Sequence, residues 1–414
     1  MKHCIVIGGG IIGMCTAYHL SKAGHQVTIL DQSDGQTGAS FVNAGYLTPS
    51  HIMPFAAPGM VTMGLKYMLS SSSPFYVKPR LNLDLIHWAW NFYKSANMAH
   101  VKKAMPIIEK LNTASSALYH ELHSNQKLNF HLEKKGLLMA YQTQKARDHE
   151  QEVVLAARAM GLEVTCLNPE EVLKLQPETN MDILGAYHYH CDSHSTPHEF
   201  MSAMKSYLLE QGVAIHQHSK VLDIKNSGSV ITSIETEVEQ FRPDELIFAS
   251  GVWTKALLKK IGIGLSLEAG KGYRINVHEP TGISVPAILM EAKVAVTPMK
   301  DFTRFSGTME LSGINTIIRK ERVEAIARAA KRYYPSVEIS TNSKREAISG
   351  MRPLSPDGLP YIGRVNQYSN LVVATGHGMM GWSLGPITGK LCQQIIDGVN
   401  PDFDLAPLSP LRRF

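Results

Sequence analysis

The chain has 414 residues, 44% hydrophobic and 19% charged. At roughly 150 residues per domain, its length allows two to three domains, each with a sizeable core. That composition excludes a disordered tail or linker, which would carry fewer apolar residues and more net charge. The formal charge of +5, from 41 Lys and Arg against 36 Asp and Glu, is too small and too evenly spread for a nucleic-acid groove, but it suits an anionic small molecule or a membrane surface.

The five cysteines, Cys4, Cys15, Cys166, Cys191 and Cys392, are scattered and form no C-x-x-C pair. A disulfide framework or zinc ribbon is therefore not expected, and a reducing, cytoplasmic setting is. The apolar first twenty residues contain Gly8, Gly9, Gly10 and Gly13 where a secretion signal has a continuous apolar helix, so they read as mature protein. The longest apolar stretch, Ile52 to Leu69, is broken by Pro54, Pro58, Gly59 and Lys66, so any membrane contact is expected to be peripheral.

In chain order, His3 to Ile7 is a β-branched apolar run, Ile11 to Lys22 has helical periodicity and stops at Gly24, and Val27 to Leu30 is a second strand. This is a βαβ unit. Pro49, Pro54 and Pro58 then punctuate an apolar loop. Helical spacing is expected from Gly64 to Leu69 and a flexible break from Ser70 to Pro74, together reading as a lid or docking segment with Trp88, Trp90 and Phe92 nearby. Met105, Ile108, Leu111, Ser115, Leu118, Tyr119 and Leu122 mark one face of a long helix. Strands are expected at Gly136 to Gln142, Gly185 to His190, Val213 to Ile224 and Glu245 to Ala249, with helices at Glu150 to Met160, Pro169 to Leu175 and Pro197 to Glu210. Tyr273 to Val277 and Ala287 to Val296 suggest antiparallel sheet, followed by a helix at Glu321 to Tyr334. A strand at Asn370 to Ala374 and a helix at Trp382 to Ile396 return to the opening α/β style.

Gly8, Gly10 and Gly13 form G-x-G-x-x-G between a strand and a helix. Such glycines let the backbone approach a pyrophosphate, while the helix N-terminus offers free amides and a partial positive charge. Asp31 ends the second strand 21 residues after Gly10, where an acid accepts hydrogen bonds from a ribose and repels a 2′-phosphate. The pattern predicts a bound dinucleotide and leaves NAD or FAD open. Gly376, Gly378 and Gly381 around His377, Met379 and Met380 place a second expected helix N-terminus where a reduced flavin's negative charge would gain most.

Four blocks carry a family resemblance: Val6 to Gly13, Gly38 to Gly45, Phe248 to Trp253 and Gly350 to Gly363. In these residues and their order the chain resembles the FAD-dependent D-amino acid oxidase family, and within it the bacterial D-amino acid dehydrogenases. Ser50 and His51 resemble the branch that handles D-proline or D-hydroxyproline. The resemblance implies an α/β Rossmann-like FAD-binding domain (1–50, 195–260 and 346–414) with an inserted α+β substrate domain of antiparallel sheet (51–194 and 261–345). It implies oxidation of a D-amino acid at Cα, with electrons passed to a quinone or other respiratory acceptor at the inner face of the cytoplasmic membrane. An oxygen-using glycine or sarcosine type oxidase is the alternative, and a tRNA-modifying flavin domain is remote.

The same resemblance implies the site. Gly8, Gly10, Gly13 and Asp31 would hold the ADP half of a non-covalent FAD, and Ile11, Ile12, Gln32 and Val221 would also contact the cofactor. Ser40, Asn43, Gly45 and the turn Gly376, His377, Gly378, Met379, Met380, Gly381 would hold the flavin side, with Ala44, Leu47, Ser250, Gly251 and Trp253 as further cofactor contacts. Arg352 would clamp the substrate carboxylate, because its planar fork binds two oxygens at once. Tyr273, in Lys271-Gly272-Tyr273, is a candidate pocket hydroxyl or a packing residue, and His51 and His377 are candidates to orient the amine or the flavin. The group His188, His190, Cys191, Asp192, His194 and His198 has no spacing of a closed four-ligand site, so no metal is expected there.

Overall fold

The computed structural model describes residues 1–62, 64, 73–401 and 403–414. Most of the expected Gly64 to Leu69 turn and the first residues of the Ser70 to Pro74 break therefore lie outside the described residues.

One sheet has six strands in the order Ala214–His216, Gln26–Leu30, His3–Ile7, Glu245–Phe248, Tyr368–Thr375, Tyr361–Val365. All neighbours pair in parallel except the last two. The central strands are buried along nearly their whole length, as expected for a parallel sheet covered on both faces. Helices Ile11–Lys22, Pro197–Glu210, Gly385–Asp397 and Met98–Ser124 cover one face through a core that includes Ile12, Phe200, Leu391 and Ile108. The other face packs on the short helix Thr254–Lys260 and a three-stranded antiparallel sheet, Val221–Ser227, Val230–Thr236 and Gln240–Phe241.

A larger, mostly antiparallel sheet is built around Glu268–Val277, which pairs with Ile348–Leu354 on one side and Thr303–Leu311 on the other. Helix Lys320–Tyr333 covers one of its faces through Val323, Ile326 and Tyr333. A small fourth sheet, Tyr46–Leu47, Ser193–Ser195 and Leu132–Glu133, lies beside the segment that leaves the βαβ unit.

Helices Ile11–Lys22, Pro169–Leu175 and Pro197–Glu210 have the bounds that periodicity predicts. Three expected elements are corrected. The run from Val213 to Ile224 is two strands in two different sheets, Ala214–His216 and Val221–Ser227. Between them His218 adopts a φ of 53° and the amides of His218 and Ser219 bond to Ser33 and Asp31 carbonyls, so the chain turns there. Ala287 to Val296 is likewise a hairpin, Ala287–Leu289 and Val294–Pro298. The last helix begins at Gly385 rather than Trp382, with Pro386 in its first turn and a short 3-10 turn, Gly378–Met380, before it. Its N-terminus is packed on the first helix, since a β-carbon at Gly385 would lie 2.6 Å from Ile11 Cγ1.

Helix Leu83–Ser95 also differs from a wholly outward-facing aromatic surface. Trp88 is buried, its indole N–H donates to the Leu354 carbonyl at 2.8 Å, and it stacks on Phe92. Trp90 and Tyr93 face outward. Among the described residues, no helix is long and apolar enough to cross a membrane.

Candidate active site

The first loop is shaped for a backbone-bound anion. Gly8 has a φ of 111°, and a β-carbon there would lie 2.5 Å from the Ala249 carbonyl oxygen. A β-carbon at Gly13 would lie 1.8 Å from the Gly8 carbonyl oxygen. Strand, loop and helix thus approach more closely than any side chain allows, and the helix starts at Ile11 with no side-chain cap. Ser40 accepts from the Ile11 amide at 2.9 Å. Asp31 accepts from the Gly9 amide and from the Ser33 amide and hydroxyl, which fixes its carboxylate beside the loop. Gln32 is exposed next to it, and Val221 is buried at the start of its strand. This cradle of glycines, helix N-terminus and acid fits the ADP half of a dinucleotide.

The segment after it is held by a residue that sequence reasoning missed. Arg304, 2% exposed, donates through Nη1 to the carbonyls of Phe41 at 3.0 Å and Asn43 at 2.6 Å, and through Nε to Asn276 Oδ1 at 3.1 Å. Burial, then the charge of Arg274, pushes its pKa down to about 9. Thr297 donates to the Ala44 carbonyl, Asn43 Oδ1 accepts from the Gly45 amide, and a β-carbon at Gly45 would lie 2.1 Å from the Ser195 carbonyl oxygen. Leu47 is fully buried behind this segment. Arg304 lies in a strand whose run Thr303 to Leu311 carries no motif, so only the fold reveals its partners.

Ser250 Oγ meets Thr254 Oγ1 at 2.9 Å, Gly251 accepts at its carbonyl from Thr375, and Trp253 is partly exposed at the same strand end. The turn from Gly376 to Gly381 follows Tyr368–Thr375, the neighbouring strand. Met379 is exposed and Met380 is half-buried. His377 is buried, its Nε2 lies 2.9 Å from Thr388 Oγ1 in the last helix, and burial pushes its pKa down to about 3. It is a neutral packing ring at neutral pH.

Arg352 lies in Ile348–Leu354 and shares a sheet face with Gly350, Gly270 and Gly272. A β-carbon at Gly350 would touch Ala39 and Val42, so this is the face turned toward the first loop region. The Arg352 guanidinium lies over Gly272, donates to the Thr308 carbonyl at 3.0 Å, and has no carboxylate partner among the described residues. Burial pushes its pKa down to about 10, leaving it a cation at neutral pH. Met309 and Leu354 stand beside it, continuous with Trp88, Phe55 and Phe75. The result is a cationic fork without a carboxylate partner beside an apolar wall.

Tyr273 is not brought to Arg352. It lies on the opposite face, fully buried, and its hydroxyl donates to Glu310 Oε2 at 2.7 Å. Glu310 also pairs with Lys271 and Arg319, and this buried charged cluster backs the sheet on its helix-covered side.

His51 and the glycine turn are tied together by Asn112, another residue that only the fold reveals. Asn112 donates to the His51 carbonyl at 3.3 Å, contacts Met380 Sδ at 3.9 Å and accepts from Ser383 Oγ at 3.1 Å. Burial pushes the His51 pKa down to about 4. Ser50 donates its amide and hydroxyl to fully buried Asp192, whose carboxyl burial pushes up to about 7.

The family comparison agrees with this architecture. Residues 3–395 match the DAO family model, described as FAD dependent oxidoreductase. The chain is 30% identical over 413 residues to a D-amino acid dehydrogenase of Neisseria meningitidis, covering 98% of each chain. It is 30% identical over 404 residues to one of Helicobacter pylori, covering 96% of each. Among solved structures it superposes on glycine oxidase from Geobacillus kaustophilus with a TM-score of 0.79 at 22% identity, over 100% of both chains. With L-proline dehydrogenase from P. horikoshii the TM-score is 0.74 at 15% identity, over 99% of this chain and 96% of that one. With the family match, the strand-loop-helix cradle for a dinucleotide beside a large, mostly antiparallel sheet is that of a flavoprotein oxidoreductase. The chain belongs to the DAO family of FAD dependent oxidoreductases, and FAD is its cofactor.

Proposed function

We propose that the protein is a D-amino acid dehydrogenase, with the guanidinium of Arg352, which has no carboxylate partner among the described residues, as the observation that carries the reading. An arginine fork that is half-buried, charged and without a protein carboxylate is stabilised by an anionic ligand. The α-carboxylate of an amino acid supplies that ligand in bidentate form, and the names of the relatives at 30% identity support the substrate class.

Bound FAD supplies a two-electron acceptor. The protein's part is orientation. Arg352 fixes the carboxylate and thereby the direction of the Cα–H bond; Met309 and Leu354 exclude water from one side. His51 and His377 are neutral through burial. Loss of the Cα hydrogen with its electron pair leaves a carbon–nitrogen double bond, which water converts to a 2-oxo acid and ammonia. The apolar wall beside Arg352 favours apolar or cyclic substrates, and D-proline is the second reading, giving a cyclic imine. The outward Leu83, Ile86, Trp90 and Tyr93 support delivery of electrons to a quinone at the inner face of the cytoplasmic membrane.

Anaerobic mixing of the yellow protein with D- and L-alanine, D- and L-proline, D-hydroxyproline and glycine tests the reading. Bleaching by D-isomers is expected; bleaching by L-isomers alone would overturn it. Arg352→Ala is expected to lower kcat/KM about 30- to 1,000-fold, the equivalent of about 2–4 kcal/mol of lost charge-assisted bonding. Hydrogen peroxide formed in step with substrate loss would select the oxidase alternative.

A further inference from the structure

We propose that His131, Glu133 and His194 form a binding site for one divalent transition-metal ion of the zinc class. Glu133 and His194 are directly opposed across the antiparallel pair Leu132–Glu133 and Ser193–Ser195, so their side chains leave the same face. His131, two residues before Glu133, reaches the same place. His131 Nε2 lies 3.7 Å from Glu133 Oε1 and His194 Nε2 lies 3.6 Å from Glu133 Oε2. The three donor atoms all lie within 4.8 Å of one another. A tetrahedral ion with bonds near 2.0–2.1 Å holds its ligands about 3.4 Å apart, so a small contraction closes the site.

An independent observation comes from His194 itself. Its side chain is 0% exposed, its Nε2 lies 3.6 Å from Glu133 Oε2, and although the Pro298 carbonyl lies near the ring, neither nitrogen makes a well-formed hydrogen bond. Buried polar atoms are nearly always paired, and a metal ion is the partner that two imidazoles and a carboxylate select. His131 Nδ1 lies 2.9 Å from Thr196 Oγ1, which fixes the ring and leaves Nε2 for the ion. Lys135 Nζ now lies 2.8 Å from Glu133 Oε2, but its side chain is 43% exposed and is free to swing into solvent as the cation enters. The fourth position, on the exposed side of Glu133, would be taken by water.

The site is a clamp rather than a second reaction centre. His194 pairs with Tyr46, and the Ser195 amide donates to the Gly45 carbonyl at 2.8 Å. An ion there would join two strands, the second of which pairs with Tyr46–Leu47 directly after the Asn43 to Gly45 segment. The last point rests on the flavin-side reading of that segment; binding of the ion does not.

The test uses the full FAD-loaded chain, stripped with a chelator and then titrated with Zn2+ by equilibrium dialysis and with Co2+ by visible absorption. One ion per chain is expected, with a tetrahedral Co2+ spectrum and a raised melting temperature. His131→Ala and Glu133→Gln should each weaken Zn2+ at least about tenfold. His190→Ala, which disrupts the neighbouring His188–His190 pair with ring centroids 4.3 Å apart, should leave affinity unchanged. Substoichiometric binding, unchanged affinity in His131→Ala and Glu133→Gln, or loss in His190→Ala would each overturn the proposal. None of these outcomes depends on amino acid turnover.

Discussion

The Arg352 guanidinium occupies the space above Gly272: a β-carbon at Gly272 would lie 2.3 Å from its Cζ, Nη1 and Nη2. The glycine of the Lys271-Gly272-Tyr273 triplet is therefore the floor on which the cationic fork lies. The two large side chains that flank it point to the other face and pack into the Glu310 cluster.

Gly272→Ala is accordingly expected to displace Arg352 while leaving its charge in place. KM for a carboxylate substrate should rise at least tenfold with a smaller change in kcat, and overpacking should cost about 1–3 kcal/mol of stability. Steady-state kinetics beside a denaturant melt would check this; unchanged KM would remove Arg352 from the carboxylate site.

Arg304→Met removes the donors to the Phe41 and Asn43 carbonyls and leaves both oxygens unpaired. FAD affinity should fall by about tenfold or more, in line with roughly 1–3 kcal/mol for each unsatisfied buried group. Release of free flavin on dilution, followed by fluorescence, measures it.

Trp88→Phe keeps the ring stacked near Phe92 but removes the donor to the Leu354 carbonyl. A loss of about 1–3 kcal/mol is expected. Because Leu354 is two residues from Arg352, a modest rise in KM should accompany it, read from the same kinetic and melting assays.

The buried carboxyl of Asp192, raised to about 7, makes stability depend on pH in a defined sense. Between its ordinary value near 4 and 7 the native state holds a proton that the unfolded chain has released. Its contribution is therefore full below pH 4 and is lost as pH rises through 7. Asp192→Asn still accepts from the Ser50 amide and does not titrate, so its melting temperature should fall less than that of the unaltered chain between pH 5 and 8. Parallel curves would show that Asp192 is ionised throughout. The neutral rings of His51 and His377 act in the opposite direction at lower pH, and the comparison cancels them.

How much of this was legible in the linear chain depended on the range over which the controlling forces act. The Gly8 to Gly13 fingerprint, its helix and Asp31 are local chemistry: backbone freedom, helix periodicity and an acid at a strand end lie within about thirty residues, so spacing alone located the dinucleotide cradle. Arg352 stood out because a Pro- and Gly-rich setting carries few cations. Strand breaks at His218 and Lys293 were missed because left-handed turns at non-glycine residues leave no compositional mark.

What the sequence by itself determined is the cofactor class, the opening βαβ unit and the main long helices, each set by residues close in the chain. Only the tertiary structure decided which face each side chain leaves. It separated Tyr273 from Arg352 by one step of strand alternation, buried His377 against Thr388, and brought Arg304 to Asn43 and His194 to His131 across long loops. Those pairings follow from strand register, and register is a property of the packed sheets rather than of any one segment.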